Sequence, residues 1–89
     1  MATAEGVRFS LSAPGARSVY VVGAFNGWLK SASPMAITDG DVWSVVVPLE
    51  EGEYPFMYVI DEEQWVTPPH ADDFVTDGFG QTNGIVVVR

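Results

Sequence analysis

The side chains best suited to acid–base or metal chemistry gather in one stretch, His70-Ala71-Asp72-Asp73 with Asp77 close behind. A histidine among three aspartates has the donor types for a hard or borderline cation, and a His/Asp pair has those of a catalytic triad. Their spacing fits no established ligand motif, however, and no serine or cysteine nucleophile motif accompanies the chain's single histidine. Paired carboxylates for glycoside hydrolysis need a cleft of defined separation, which a chain of 89 residues is poorly suited to build. His70 therefore reads as a surface loop residue, and no catalytic residue, metal site or cofactor is expected.

The aromatic residues offer a different chemistry. Val19-Tyr20-Val21-Val22 is an apolar run that stops at Gly23, and Ala24-Phe25-Asn26-Gly27-Trp28 then sets two aromatics around an asparagine. The run reads as a buried strand, and the segment after it as a turn in which glycine and asparagine tolerate positive φ. Phe25 is expected to point inward, and Asn26 to bond the backbone of the turn that aims Trp28. Trp28 itself has two readings: it closes one end of the core, or it stays exposed, and an exposed aromatic patch on a small domain usually has a use. Trp43 alternates with valines and reads as core.

The elements that position these residues are set by alternation. Val7, Phe9 and Leu11 share one face of a first strand against Arg8, Ser10 and Ser12. Ala13-Pro14-Gly15-Ala16 breaks it, and the run at 18–22 returns close by. Met35-Ala36-Ile37-Thr38 is a short edge-like piece, and Asp39-Gly40-Asp41 a turn. Trp43, Val45, Val47 and Leu49 share one face of the next strand. In Tyr54-Pro55-Phe56-Met57-Tyr58-Val59-Ile60 the set Tyr54, Phe56, Tyr58 and Ile60 is the core face, leaving Met57 to point outward. Gln64-Trp65-Val66 is a short strand cut off by Pro68-Pro69. The segment from His70 to Gly80 has no period and reads as an ordered surface loop. Ile85-Val86-Val87-Val88 is apolar on both faces and belongs mid-sheet or under a second layer. Turns at spacings of about 8–12 residues predict an all-β sandwich of about seven short strands, with residues 1–6 as an N-terminal tail and 7–89 as a single domain.

Composition narrows the partners. Four Lys and Arg stand against twelve Asp and Glu, a formal net charge of −8, so nucleic acid and anionic membranes are poor partners. No apolar run nears the roughly 20 residues needed to span a bilayer, and the N-terminus lacks the pattern of a signal peptide, so a cytoplasmic location is the expectation. With no cysteine, the fold has to stand on packing alone, without a disulfide.

Several fragments in this order are similar to one family. They are Val7-Arg8-Phe9 with Ala13-Pro14-Gly15-Ala16, Gly23 through Trp28, Asp41-Val42-Trp43, Pro48-Leu49, Gly52-Glu53-Tyr54, Val59-Ile60-Asp61, Trp65, and Gly78-Phe79-Gly80-Gln81-Thr82-Asn83. From Val7 to Arg89 the chain resembles carbohydrate-binding module family 48. These are the early-set immunoglobulin-like domains of glycogen-branching and debranching enzymes, isoamylase, and the β subunit of AMP-activated protein kinase. The resemblance implies an immunoglobulin-like β-sandwich that binds α-1,4-glucan without catalysis, as in starch or glycogen. Its two tryptophans match Trp28 and Trp65, its asparagine matches Asn83, and Phe79 falls where the family places an apolar loop residue against the sugar. The family's lysine falls on Met57, a departure that puts dispersion and a weak thioether acceptor at the platform's margin in place of a donor.

The residue types suit the ligand, since a glucose ring presents a face of C–H groups that an indole covers and a rim of hydroxyls that an amide can bond. Plainer roles remain open for Trp65, which can pack on the prolines after it, and for Asn83, which beside Gly84 can hold a turn. Met57 motivates a second functional class: an apolar corner framed by acidic residues would suit a protein partner or self-association on the same sandwich, with the sugar site lost.

Overall fold

The computed structural model of the 89-residue chain describes residues 6–76, 78 and 80–89. Eight strands run in chain order: β1 (Val7–Ser12), β2 (Val19–Gly23), β3 (Ala36–Asp39), β4 (Val42–Val47), β5 (Gly52–Ile60), β6 (Gln64–Val66), β7 (Asp73–Thr76) and β8 (Thr82–Val88). Two short 3-10 turns, Ala24–Asn26 and Lys30–Ala32, lie between β2 and β3, and no α-helix occurs among the described residues. One sheet has the order β1-β4-β3; the other has the order β2-β5-β8-β7, with β6 also on β5. All pairings are antiparallel. The all-β sandwich expected from the turn spacing is what forms, and β8 takes its mid-sheet place between β5 and β7.

Alternation explains the main core. Val7, Phe9 and Leu11 of β1 are buried while Arg8, Ser10 and Ser12 are exposed. They meet Val19, Val21, Trp43, Phe56, Tyr58 and Val86 in one cluster between the sheets. β1 and β2 do not pair, as they belong to opposite sheets and meet only across this core. Phe25 turns inward as expected and stacks on Phe9 at 5.4 Å between ring centroids, and Phe9 meets Phe56 edge-on at 5.0 Å. The Tyr58 hydroxyl crosses between the sheets to donate to the Ser10 carbonyl at 3.2 Å, and burial pushes its phenol pKa up to about 12.

β5 departs from simple alternation. Phe56, Met57, Tyr58 and Val59 are four consecutive buried residues. Phe56 and Tyr58 face the main core, while Met57 and Val59 join Val22, with Tyr20 packed on them, in a second cluster. Met57 points outward from the main core, as the alternation predicts, and yet is covered.

Two segments differ from the sequence-based expectation. Asp73–Thr76 is a strand although all four residues are exposed, which is why no hydrophobic period marks it. Its pairing to β8 is reinforced by Asp72, whose backbone N–H donates to Ile85 O at 3.0 Å and whose carboxylate accepts from Val87 N at 2.7 Å. Asn83-Gly84 lies inside β8 and forms no turn. Gly84 is needed there for space, since a Cβ would sit 2.9 Å from Pro68 Cγ, 3.0 Å from Ala71 Cβ and 3.2 Å from Phe56 Cε1.

The β5–β6 connection is a tight turn with Asp61 (φ 54°) and Glu62 (φ 65°) both left-handed, closed by Glu63 N–H to Ile60 O at 3.3 Å. Non-glycine residues hold this conformation only when their surroundings fix it. Asp61 is fixed by accepting from Arg17 N at 2.6 Å and Ser18 N at 3.2 Å, while its own N–H donates to Ser18 O at 2.9 Å. Those two N–H donors hold the Asp61 carboxyl below the usual carboxylate range.

Stability offers two tests of these contacts. Gly84→Ala should destabilise the domain by about 1–3 kcal/mol through overpacking, whereas Gly78→Ala, with nothing within 4 Å of its new Cβ, should change it by less than about 0.5 kcal/mol; urea unfolding compares them. Asp61→Asn should lower the melting temperature at pH 7. Because the folded carboxyl titrates below its unfolded value of about 3.9, its contribution is present above that pH and lost as pH falls through the folded value. The gap between the melts of variant and parent should therefore narrow as pH is lowered below about 3.9.

Candidate functional site

The outer face of the β2-β5-β8-β7 sheet, turned away from the main core, carries the residues of interest. Register defines it in two cross-strand rows. Val22 of β2 pairs with Met57 of β5, and Asn83 of β8 pairs with Val75 of β7. Asn83 lies one residue past the last β5/β8 pair, Phe56–Gly84, next to the place of Met57 in the first row. The second row is Tyr20–Val59–Trp65, from β2, β5 and β6.

Trp65 and Asn83 are brought together because β6 and β8 share one edge of β5. β6 takes Tyr58 to Ile60, and β8 takes Gly52 to Phe56. The two strand ends are joined where Thr67 Oγ1 donates to Thr82 O at 2.7 Å. Trp65 thus stands abreast of Val59, and Asn83 follows directly after the last β8 pair with β5, Phe56–Gly84, on the same edge. Trp65 is 41% exposed and Asn83 half-buried.

Trp28 is aimed by the turn that precedes it, in which Gly27 takes the positive φ expected of a turn glycine but Gly23 and Asn26 do not. Gly23 is fully extended (φ −174°, ψ −178°) and is required for close approach, because a Cβ would meet Pro55 O at 2.6 Å. Asn26 does bond the backbone: its Oδ1 accepts from Gly23 N at 3.1 Å, and its Nδ2 donates to Val21 O at 3.0 Å and to Ser33 Oγ at 3.2 Å. The left-handed residues are Gly27 (φ 67°) and Trp28 itself (φ 61°). For a bulky side chain that conformation is an outlier costing roughly 1–2 kcal/mol, and Trp28 N–H to Gly23 O at 3.0 Å helps hold it. Trp28 remains 37% exposed, so it does not serve to close the core.

The chain returns along the free edge of β2, where Val21 N–H donates to Ser33 O at 3.2 Å and Met35 N–H to Val19 O at 2.8 Å. Between Trp28 and this return, Lys30 reaches the β5–β6 turn and its Nζ donates to Glu62 O at 2.9 Å. One hydrogen bond therefore joins the segment of Trp28 to the hairpin of Trp65. The sequence pattern assigns Lys30 no role. The available signal is that it is the chain's only lysine, two residues after Trp28 in a loop otherwise free of charge.

Of the remaining expected site residues, Met57 is 4% exposed and forms the floor beneath this face together with Val22 and Val59. Phe79 lies outside the described residues. Trp43 is core, at 8% exposure. His70 is exposed, and among the described residues no three His, Asp or Glu side chains converge as a metal site. A cavity of about 540 Å³ opens on the other side of the same sheet, between β1 and the 70–72 loop, over Phe9, Phe56, Tyr58 and Val86. It shares no residue with the outer-face rows. No helix among the described residues is long and apolar enough to cross a membrane.

Comparison with known proteins agrees with this arrangement of elements. Residues 7–89 match the family described as the glycogen recognition site of AMP-activated protein kinase. The chain is 43% identical over 70 residues to the 1,4-alpha-glucan branching enzyme GlgB of Pseudomonas syringae pv. tomato, a stretch covering 76% of this chain and 9% of that protein. It is 41% identical over 70 residues to 1,4-alpha-glucan branching enzyme GlgB 2 of Rhizobium johnstonii, covering 76% of this chain and 10% of the relative. Against GlgB of Rhizobium meliloti the identity is 36% over 73 residues, covering 80% and 10%. The chain thus corresponds to about a tenth of the length of these relatives. With the fold expected of carbohydrate-binding module family 48 and a family match across all its strands, this chain belongs to the carbohydrate-binding family of the AMP-activated protein kinase glycogen recognition site.

Proposed function

We propose that this domain binds α-1,4-glucan chains, as in glycogen, starch or maltooligosaccharides, without catalysis, on an open platform made by Trp28, Trp65 and Asn83. The observation that carries this is that β6 with Trp65 and β8 with Asn83 share one edge of β5, while Lys30, two residues after the exposed Trp28, bonds the turn that leads to Trp65. The relatives named 1,4-alpha-glucan branching enzyme point to the same class of polymer.

Each indole covers the C–H face of one glucose ring, and the Asn83 amide bonds hydroxyls at the ring's rim. Met57, buried below, holds the floor level rather than meeting the sugar; Phe79 belongs to the platform's margin. Glucose is neutral, so the formal charge of −8 does not oppose binding, as it would for an anionic ligand. An open platform buries only part of a short oligosaccharide, which gives a Kd on the order of 0.1–1 mM, about −4 to −5.5 kcal/mol.

Exposed Leu29 and Val75 favour a second reading, in which a protein surface or another copy of the chain docks on this region. Titration with maltoheptaose, followed by tryptophan fluorescence and amide shifts, separates the two. A saturable response that weakens about tenfold or more in Trp28→Ala and in Trp65→Ala is expected, with melting temperatures little changed. Silence at about 10 mM sugar, together with self-association by light scattering that Trp28→Ala abolishes, would favour the protein-docking alternative.

A further inference from the structure

We infer that Lys30 is the positioning residue of this platform: its bond to the Glu62 carbonyl fixes the relative setting of the two indoles and so determines which glucan shape the face accepts. The inference rests on the glucan-platform reading above.

Both indoles hang from backbone that does not hold its shape alone. Trp28 sits in left-handed conformation at the end of a loop, and Trp65 comes after a turn whose two central residues, Asp61 and Glu62, are also left-handed without being glycine. β6, which carries Trp65, is only three residues long and ends before Pro68-Pro69. The turn is clamped on one side, where Asp61 takes the Arg17 and Ser18 N–H groups. On the other side the contact is Lys30 Nζ to Glu62 O at 2.9 Å, three residues before Trp65 and two after Trp28. A charge-assisted bond to a carbonyl is among the stronger hydrogen bonds, and here it spans 32 residues of sequence to tie two separate elements.

Relative setting matters because the ligand is curved. α-1,4-Linked glucose units coil, so successive rings present their faces at an angle, whereas β-1,4-linked units form a flat ribbon. Two indoles locked at one angle select between these shapes; two loosened indoles do not. Lys30 would thus act on specificity as well as affinity, without touching the sugar.

The test uses Lys30→Met, which keeps the unbranched apolar stem up to Cε and removes the donor, and Lys30→Arg, which restores one. Titrations use maltoheptaose and the β-1,4-linked cellohexaose, with 5-fluorotryptophan incorporated so that the 19F resonances of Trp28 and Trp65 are read without ligand. Lys30→Met should bind maltoheptaose about 3–10-fold more weakly, with the preference over cellohexaose reduced and the Trp28 and Trp65 resonances shifted, while Trp43 and the melting temperature stay near the parent values. Lys30→Arg should recover most of the affinity. Parent-like binding by Lys30→Met, or no recovery in Lys30→Arg, overturns the inference. If the parent protein binds neither sugar, the glucan reading fails. The ligand-free 19F spectra then decide whether Lys30 sets the indoles, and unchanged Trp28 and Trp65 signals in Lys30→Met overturn that too.

Discussion

Four consecutive buried residues in one strand impose the constraint on which this structure depends. β5 needs apolar cover on both faces at Phe56–Val59, and the sandwich supplies a second sheet for only one of them. Phe56 and Tyr58 are covered by Phe9 and its neighbours from the facing sheet. Met57 and Val59 have no sheet above them, and yet are 4% and 0% exposed. Burying side chains of that size is worth roughly 1.5–3 kcal/mol each, a large part of the net stability of a domain this small. The long connection between β2 and β3 and the short β5–β6 hairpin flank this second cluster and carry the two exposed indoles. Core and site are thus two sides of the same few residues.

Legibility in the sequence depends on the reach of each signal. Strict alternation places Val7, Phe9 and Leu11, and selects Phe56 and Tyr58 over Met57 for the main core, since in both cases the decisive neighbours lie along the same strand. Alternation cannot report that Met57 is buried too, because its cover comes from segments distant in sequence. β7 escapes for the opposite reason: its Asp-Phe-Val-Thr is exposed throughout and is a strand only because β8 offers an edge. Gly23 and Gly84 are legible as glycines that matter, but not for their actual reason, the approach of Pro55 O to one and of Pro68 and Ala71 to the other. The site is legible mainly through likeness to a family, which matches Trp28, Trp65 and Asn83 but is silent on Lys30. A side chain acting through a hydrogen bond to a backbone carbonyl leaves no pattern of residue types to match.

The sharing of one β5 edge by β6 and β8 brings together residues of the proposed site. Were β8 to run the full length of β5, no room would remain for β6, and Trp65 could not stand beside Asn83. The change of partner falls at Met57, between Phe56 paired to β8 and Tyr58 paired to β6, and the two strand ends are joined there by the Thr67 hydroxyl bonding the Thr82 carbonyl.

The outermost strands have a bearing on colloidal behaviour. β3 and β7 end their respective sheets, each is only four residues long, and each includes an aspartate, Asp39 and Asp73. Short, acidic borders are poor templates for intermolecular strand pairing, and in a chain of net charge −8 they add mutual repulsion between copies. At these two borders, opposite the ends formed by β1 and β2, the domain resists edge-to-edge strand pairing while displaying two indoles and several other apolar side chains.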